Sequence, residues 1–174
     1  VLVELPIVLP PTVAGLALLL LYGQRGALGT VLNTLEIRLA FTTTAVIFAQ
    51  VFISAPFYIR AAQSSFESIP PEIEEAACVD GAGGVALFRW ITLPLAWNGL
   101  AAGLTLSWAR ALGEFGATVL FAGNLSGVTQ TLTLFINTEW ESNLESAVWA
   151  SMILLGLAFV ALTVSGWFSR RQAY

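Results

Sequence analysis

The chain has 174 residues, 57% of them hydrophobic and only 10% charged, with a net charge of -4 and a mean hydropathy of +0.81. Soluble domains carry about 25% charged residues, so the deficit excludes an ordinary water-soluble core and makes lipid the expected surroundings. All seven basic residues are arginine, and the acidic balance, with pI near 4.7, excludes a basic nucleic-acid surface.

With no histidine and a single cysteine, Cys78, neither a zinc site nor an internal disulfide can form. Cys78 has no positive neighbour and reads as a small packing residue, not a reactive thiol. The chain begins at Val1, its only methionine is Met152, and no basic stretch precedes the first apolar run. It therefore reads as a piece of a longer protein lacking an N-terminal part, without a signal peptide at its start.

Crossing a bilayer takes about 20 mostly apolar residues in a helix, and four stretches are predicted to do so. The first is Leu5–Tyr22, with Pro10 and Pro11 starting or kinking its helix. The second is Leu39–Ile59, the third Leu93–Leu112 with an extension toward Phe121, and the fourth Ala147–Phe168. The last three carry Thr, Ser, Gly, Asn or Gln inside the apolar run, as expected where helices pack against one another or against a second copy.

Three loops separate these stretches. Gly23–Arg38 is a glycine-punctuated turn region, and Gly123–Ser146 is a polar loop whose Trp140 suits the headgroup layer. The segment Arg60–Thr92 holds "IPPEIEEAACVDGAGGVALFRWIT". Its two prolines, Pro70 and Pro71, begin a short helix over about Pro70–Asp80, the glutamates after them suit its positive end, and Gly81 stops it. Gly81 there requires a positive φ. "VALFRWIT" forms a second short helix, which Leu93-Pro94 turns into the next span. Arg60, Arg89, Arg170 and Arg171 share one side with this loop, against Arg25 and Arg38 opposite, so the loop and the C-terminus are expected in the cytoplasm. Local physics alone reads the stretch first as a solvated connector.

Its full spacing reads otherwise. Glu75-Ala76-Ala77, three residues, Gly81, nine residues, then Ile91-Thr92-Leu93-Pro94 resembles the EAA motif, E-A-A-x3-G-x9-I-x-L-P, of permease subunits of binding-protein-dependent ABC importers. "PIVLPPTVAG" and "ARALGEFGATVLFAGN", followed by "TQTLTL", look like the molybdate/tungstate branch, close to the sulfate permeases; Thr133 stands where that pattern expects proline. The resemblance implies an all-α, polytopic type I importer permease occupying residues 1–174, with four of an expected six helices. Residues 68–92 would be its coupling loop, in which Glu75, Ala76, Ala77, Gly81, Ile91, Leu93 and Pro94 serve the ATPase contact. It further implies a homodimer in a prokaryotic inner membrane, an ATPase subunit holding ATP and magnesium, and an external oxyanion-binding protein. The chain itself would carry no cofactor, metal or catalytic residue; sulfate or thiosulfate is the alternative cargo.

Arg110 and Glu114 lie four residues apart at the outer part of the third stretch, and two readings stay open. They form an ion pair that lowers the cost of charge near lipid, or Arg110 meets the oxyanion in transit; Glu114 would repel it. Gly113 and Gly116 beside them are either a bend that opens a gate or packing glycines. The chain has no Walker phosphate loop, so it is not the ATPase. Neither an intramembrane enzyme nor a scaffold or channel without ATP coupling explains the motif spacing.

Overall fold

A computed structural model describes residues 4–170, the side chain of Arg170 excepted. Arg171, and with it part of the charge asymmetry used for orientation, lies outside the described residues. Ten α-helices follow in order among those residues: α1 (Leu5–Val8), α2 (Pro11–Tyr22), α3 (Gly29–Thr34), α4 (Thr43–Glu67), α5 (Pro71–Val79), α6 (Gly84–Leu87), α7 (Leu93–Leu112), α8 (Gly116–Phe121), α9 (Leu132–Ser142) and α10 (Leu144–Arg170). A π-helical turn, Phe88–Thr92, joins α6 to α7. The chain is all-α over the described residues.

Length and apolarity qualify two of these helices to cross a bilayer, α4 and α10, against four expected. The first expected span is divided, because Leu9 and Pro10, each preceding a proline, are extended at ψ 135 and 134, and Pro11 restarts the helix. The 12 residues of α2 then reach only about 18 Å, short of the roughly 30 Å hydrocarbon layer. The helix α7 has the 20 residues of a crossing but is diluted by Asn98, Thr105, Ser107 and Arg110. On α10, Leu155, Phe159 and Leu162 stand exposed, an apolar surface that water would not tolerate at this density.

By its internal contacts the chain divides into two units. The first comprises the described residues up to Pro56 together with Trp108–Phe159. Its core is built from Ala14, Leu18, Ala45, Ala49, Ile53 and Phe121, and the rings of Tyr22, Phe48 and Phe121 cluster there with centroids 5.3 to 6.4 Å apart. Helices α2 and α8 approach at backbone contact. A β-carbon on Gly15 would lie 2.6 Å from the Ala117 carbonyl oxygen, so only glycine permits this crossing. The third span does not continue to Phe121; it breaks at Gly113 and resumes as α8. The polar stretch before Ser146 contains a helix, α9, which the Thr131 hydroxyl caps by accepting from the Leu134 amide, while Leu134 is fully buried.

The second unit comprises Phe57–Ser107 and the described residues from Val160 on. Here Gly103 faces the β-carbon of Ala61 too closely for any side chain, and Ser165 donates to the Ala102 carbonyl at 3.1 Å. The loop built on α5, α6 and the π turn belongs wholly to this unit.

Candidate functional site

The expected short helix appears as α5, over Pro71–Val79. Pro71 occupies the first turn, where its missing N–H costs nothing, and Glu72 and Glu74 lie near the positive end of the helix dipole. The helix ends in a Schellman arrangement: Gly81, at φ +90, donates to the Cys78 carbonyl, and Ala82 donates to the Ala77 carbonyl at 2.9 Å. The positive φ expected at Gly81 is therefore present.

Helix periodicity divides α5 into two faces. Glu72, Glu75, Ala76 and Val79 are exposed, Val79 at 88%. Ala77 is buried and Glu74 half-buried, so the third residue of the motif turns inward and leaves Glu75 and Ala76 on the open surface. Gly81 is also exposed, and Ile91 and Leu93 are half-buried with Pro94 exposed at the start of α7.

The Leu93-Pro94 step does not turn the chain, contrary to the sequence expectation. Leu93 has helical angles, φ -65 and ψ -44, and its amide reaches the Phe88 carbonyl across the π turn. Pro94 lacks an N–H and would crowd the preceding turn; a locally widened helix accommodates it without a break. The motif's second half thus lies on a continuous helical path from Gly84 into α7.

Two contacts inside this loop have no counterpart in the motif. The Thr92 hydroxyl donates to Glu74 Oε1 at 2.7 Å, and the rings of Phe66 and Phe88 lie 6.3 Å apart. Glu74 and Thr92 escape a reading by motif because both occupy unspecified positions. Only the half-buried face of α5 singles them out.

The second group lies in the other unit and is described by itself. Arg110 Nη1 donates to Glu114 Oε2 at 3.0 Å, so the two form the ion pair. They do not share a helix face: Glu114 lies past the end of α7, in the break before α8. Its position there gives it further work. Glu114 Oε1 accepts from the Ala117 amide at 2.8 Å, satisfying a first-turn donor of α8, and its carbonyl accepts from the Thr133 hydroxyl at 2.9 Å. Glu114 is 1% exposed and Arg110 30%, so the carboxylate is held by the protein while the guanidinium edges outward. Thr133, where the family pattern expects proline, stands in the first turn of α9 and ties that helix to this break.

Gly116 is a packing glycine, since a β-carbon would lie 3.0 Å from the Thr12 amide nitrogen. At Gly113 the nearest atom would be the Arg110 carbonyl oxygen at 4.0 Å, so close packing does not account for it. Among the described residues no group of three Asp, Glu, Cys or His side chains comes together as a metal site.

Exposed apolar helices, small-residue crossings and a run of short helices between α4 and α7 describe an all-α chain of the kind that fits a membrane, with one elaborated connecting loop. The chain belongs to the family of binding-protein-dependent transport system inner membrane components, the permease subunits of ABC importers, whose family model matches residues 1–173. That family is one of transport subunits.

Among its relatives is a probable transport system permease protein, NifC, of Clostridium pasteurianum, 44% identical over 160 residues, which are 92% of this chain and 56% of the relative. A putative molybdenum transport system permease protein, YvgM, of Bacillus subtilis is 40% identical over 152 residues, 87% of this chain and 67% of the relative. A sulfate transport system permease protein, CysW, of Synechococcus elongatus is 39% identical over 155 residues, 88% of this chain and 54% of the relative. The chain thus spans between about half and two thirds of the length of these relatives.

Proposed function

We propose that this chain forms part of the transmembrane pathway through which an ABC importer moves an oxyanion inward, with molybdate or tungstate as the cargo. The observation that carries this reading is the complete EAA spacing on a helix that presents Glu75 and Ala76 outward and is stopped by Gly81 in a left-handed conformation. Such a helix is a short, rigid, small-surfaced plug suited to a groove on an ATPase subunit. In this reading α7 and the α1–α2 pair complete four crossings with α4 and α10. The α5 loop and the C-terminus face the cytoplasm, and two copies of the permease line the path. An external binding protein delivers the anion.

Selectivity for molybdenum oxyanions is supported by relatives such as the putative molybdenum transport system permease protein of Bacillus subtilis at 40% identity. The sulfate permease of Synechococcus elongatus, at 39%, supports the neighbouring reading almost as well. Arg110 would meet the anion only in passing, because its guanidinium is already engaged by Glu114. A tight site for a doubly charged anion would need several converging donors or cations. The complete complex, reconstituted with its ATPase and binding protein, should hydrolyse ATP faster with molybdate-loaded than with sulfate-loaded binding protein. Stimulation by sulfate alone would move the chain to the sulfate branch, and an ATPase indifferent to either would refute the reading.

A further inference from the structure

We propose that Glu74 and Thr92 are the positioning pair that carries motion of the coupling helix α5 into α7; this rests on the ABC-permease reading above. The covalent route from α5 to α7 is compliant. It passes through Gly81, Gly83 and Gly84, around each of which a β-carbon would find open space within 4 Å, so no side-chain packing braces these three positions. A push on α5 would be absorbed there unless a second connection bypasses the glycines.

The Thr92–Glu74 hydrogen bond is such a bypass. At 2.7 Å it joins the middle of α5 to the last residue of the π turn, adjoining Leu93, where α7 begins. Its acceptor is a carboxylate oxygen, and hydrogen bonds to charged groups are stronger than neutral ones. Both residues are half-buried, which limits competition from water. The pair also divides the labour of α5 by face: Glu75 and Ala76 are free for a partner while Glu74 holds the helix to its own chain. The π turn is the receiving part, since the Phe66–Phe88 contact joins it to the end of α4 as well.

The test uses the complete permease assembled with its ATPase and binding protein in liposomes. Molybdate is the transported probe, or sulfate where the wild-type complex responds to that instead. Thr92→Val removes the hydroxyl at nearly constant shape, Glu74→Ala removes the acceptor, and Thr92→Ser keeps the donor. Thr92→Val and Glu74→Ala should each raise the ATP consumed per anion moved about tenfold, the factor that one lost hydrogen bond to a charged group represents at the low end of its range. The double variant should be no worse than either single one, and Thr92→Ser should match wild type. An unchanged ratio in Thr92→Val, or a lower yield of complex with an unchanged ratio per complex, overturns the proposal. If Thr92→Val fails to assemble, amide exchange over Ile73–Val79 in the membrane-embedded permease decides. Faster exchange than in Thr92→Ser supports the clamp, and equal exchange overturns it. A wild-type complex that moves neither anion with ATP refutes the functional reading itself, a result distinct from a coupled wild type with coupled variants.

Discussion

Gly81 and Gly83 are two residues apart, both exposed, and a β-carbon on either meets nothing within 4 Å. They differ in backbone alone: Gly81 has φ +90, whereas Gly83 has φ -76 and ψ 164, an extended conformation open to any residue. Replacing each by valine therefore isolates conformational cost from packing. At Gly81 an L side chain in left-handed backbone costs about 1–2 kcal/mol, and β-branching adds to this. The strain opposes the Schellman bonds from Gly81 to Cys78 and from Ala82 to Ala77. It should shift the capped-to-frayed equilibrium of α5 by roughly 5- to 30-fold, since every 1.4 kcal/mol is a factor of ten. Amide exchange at Val79–Ala82 should rise by that factor in Gly81→Val and stay near wild type in Gly83→Val. Gly81→Asn should fall between, because asparagine tolerates the left-handed region. Transport by Gly81→Val should drop with membrane insertion intact. Equal exchange in the two valine variants would refute the capping argument.

Glu114→Ala removes the ion pair with Arg110 and the acceptor for the Ala117 amide together, and should lower the stability of the detergent-purified chain by about 2–3 kcal/mol. Glu114→Gln, which keeps an acceptor for Ala117, should lose less; a wild-type thermal midpoint for the alanine variant would discard the role assigned to the carboxylate. Orientation is checked by single cysteines at Gly83 and Ser126 in a Cys78→Ser background, which should react with an impermeant thiol reagent from opposite faces of the membrane. Reaction of both from outside would rule out a cytoplasmic α5 loop.

Much of this protein is legible residue by residue. The scarcity of charge sets its medium, Pro71 and Gly81 bound α5, and the EAA spacing marks the loop, because each depends on composition or on local backbone preference. Proline supplied a mixed signal. Pro10-Pro11 divides the first apolar stretch as its chemistry requires, but Pro94 does not stop its helix, since the π turn before it opens enough room. The end of α7 likewise depends on contacts distant in sequence. The break at Gly113–Phe115 is held by Glu114 reaching both Arg110 and Ala117, and by Thr133 bonding back across 19 residues.

Tertiary structure alone decided which glycines inside the helices are obligatory. Gly15 and Gly116 look no different in sequence from Gly156 or Gly166, but the first two lie where α2 and α8 touch backbone to backbone, and the last two face open space. It also decided which face of α5 is free. Composition cannot distinguish Glu74 from Glu75, because both are glutamates on one short helix. Only the nearness of Thr92 turns one carboxylate inward as an acceptor and leaves the other exposed, since a hydrogen bond needs its partner within about 3 Å and the partner lies 18 residues away.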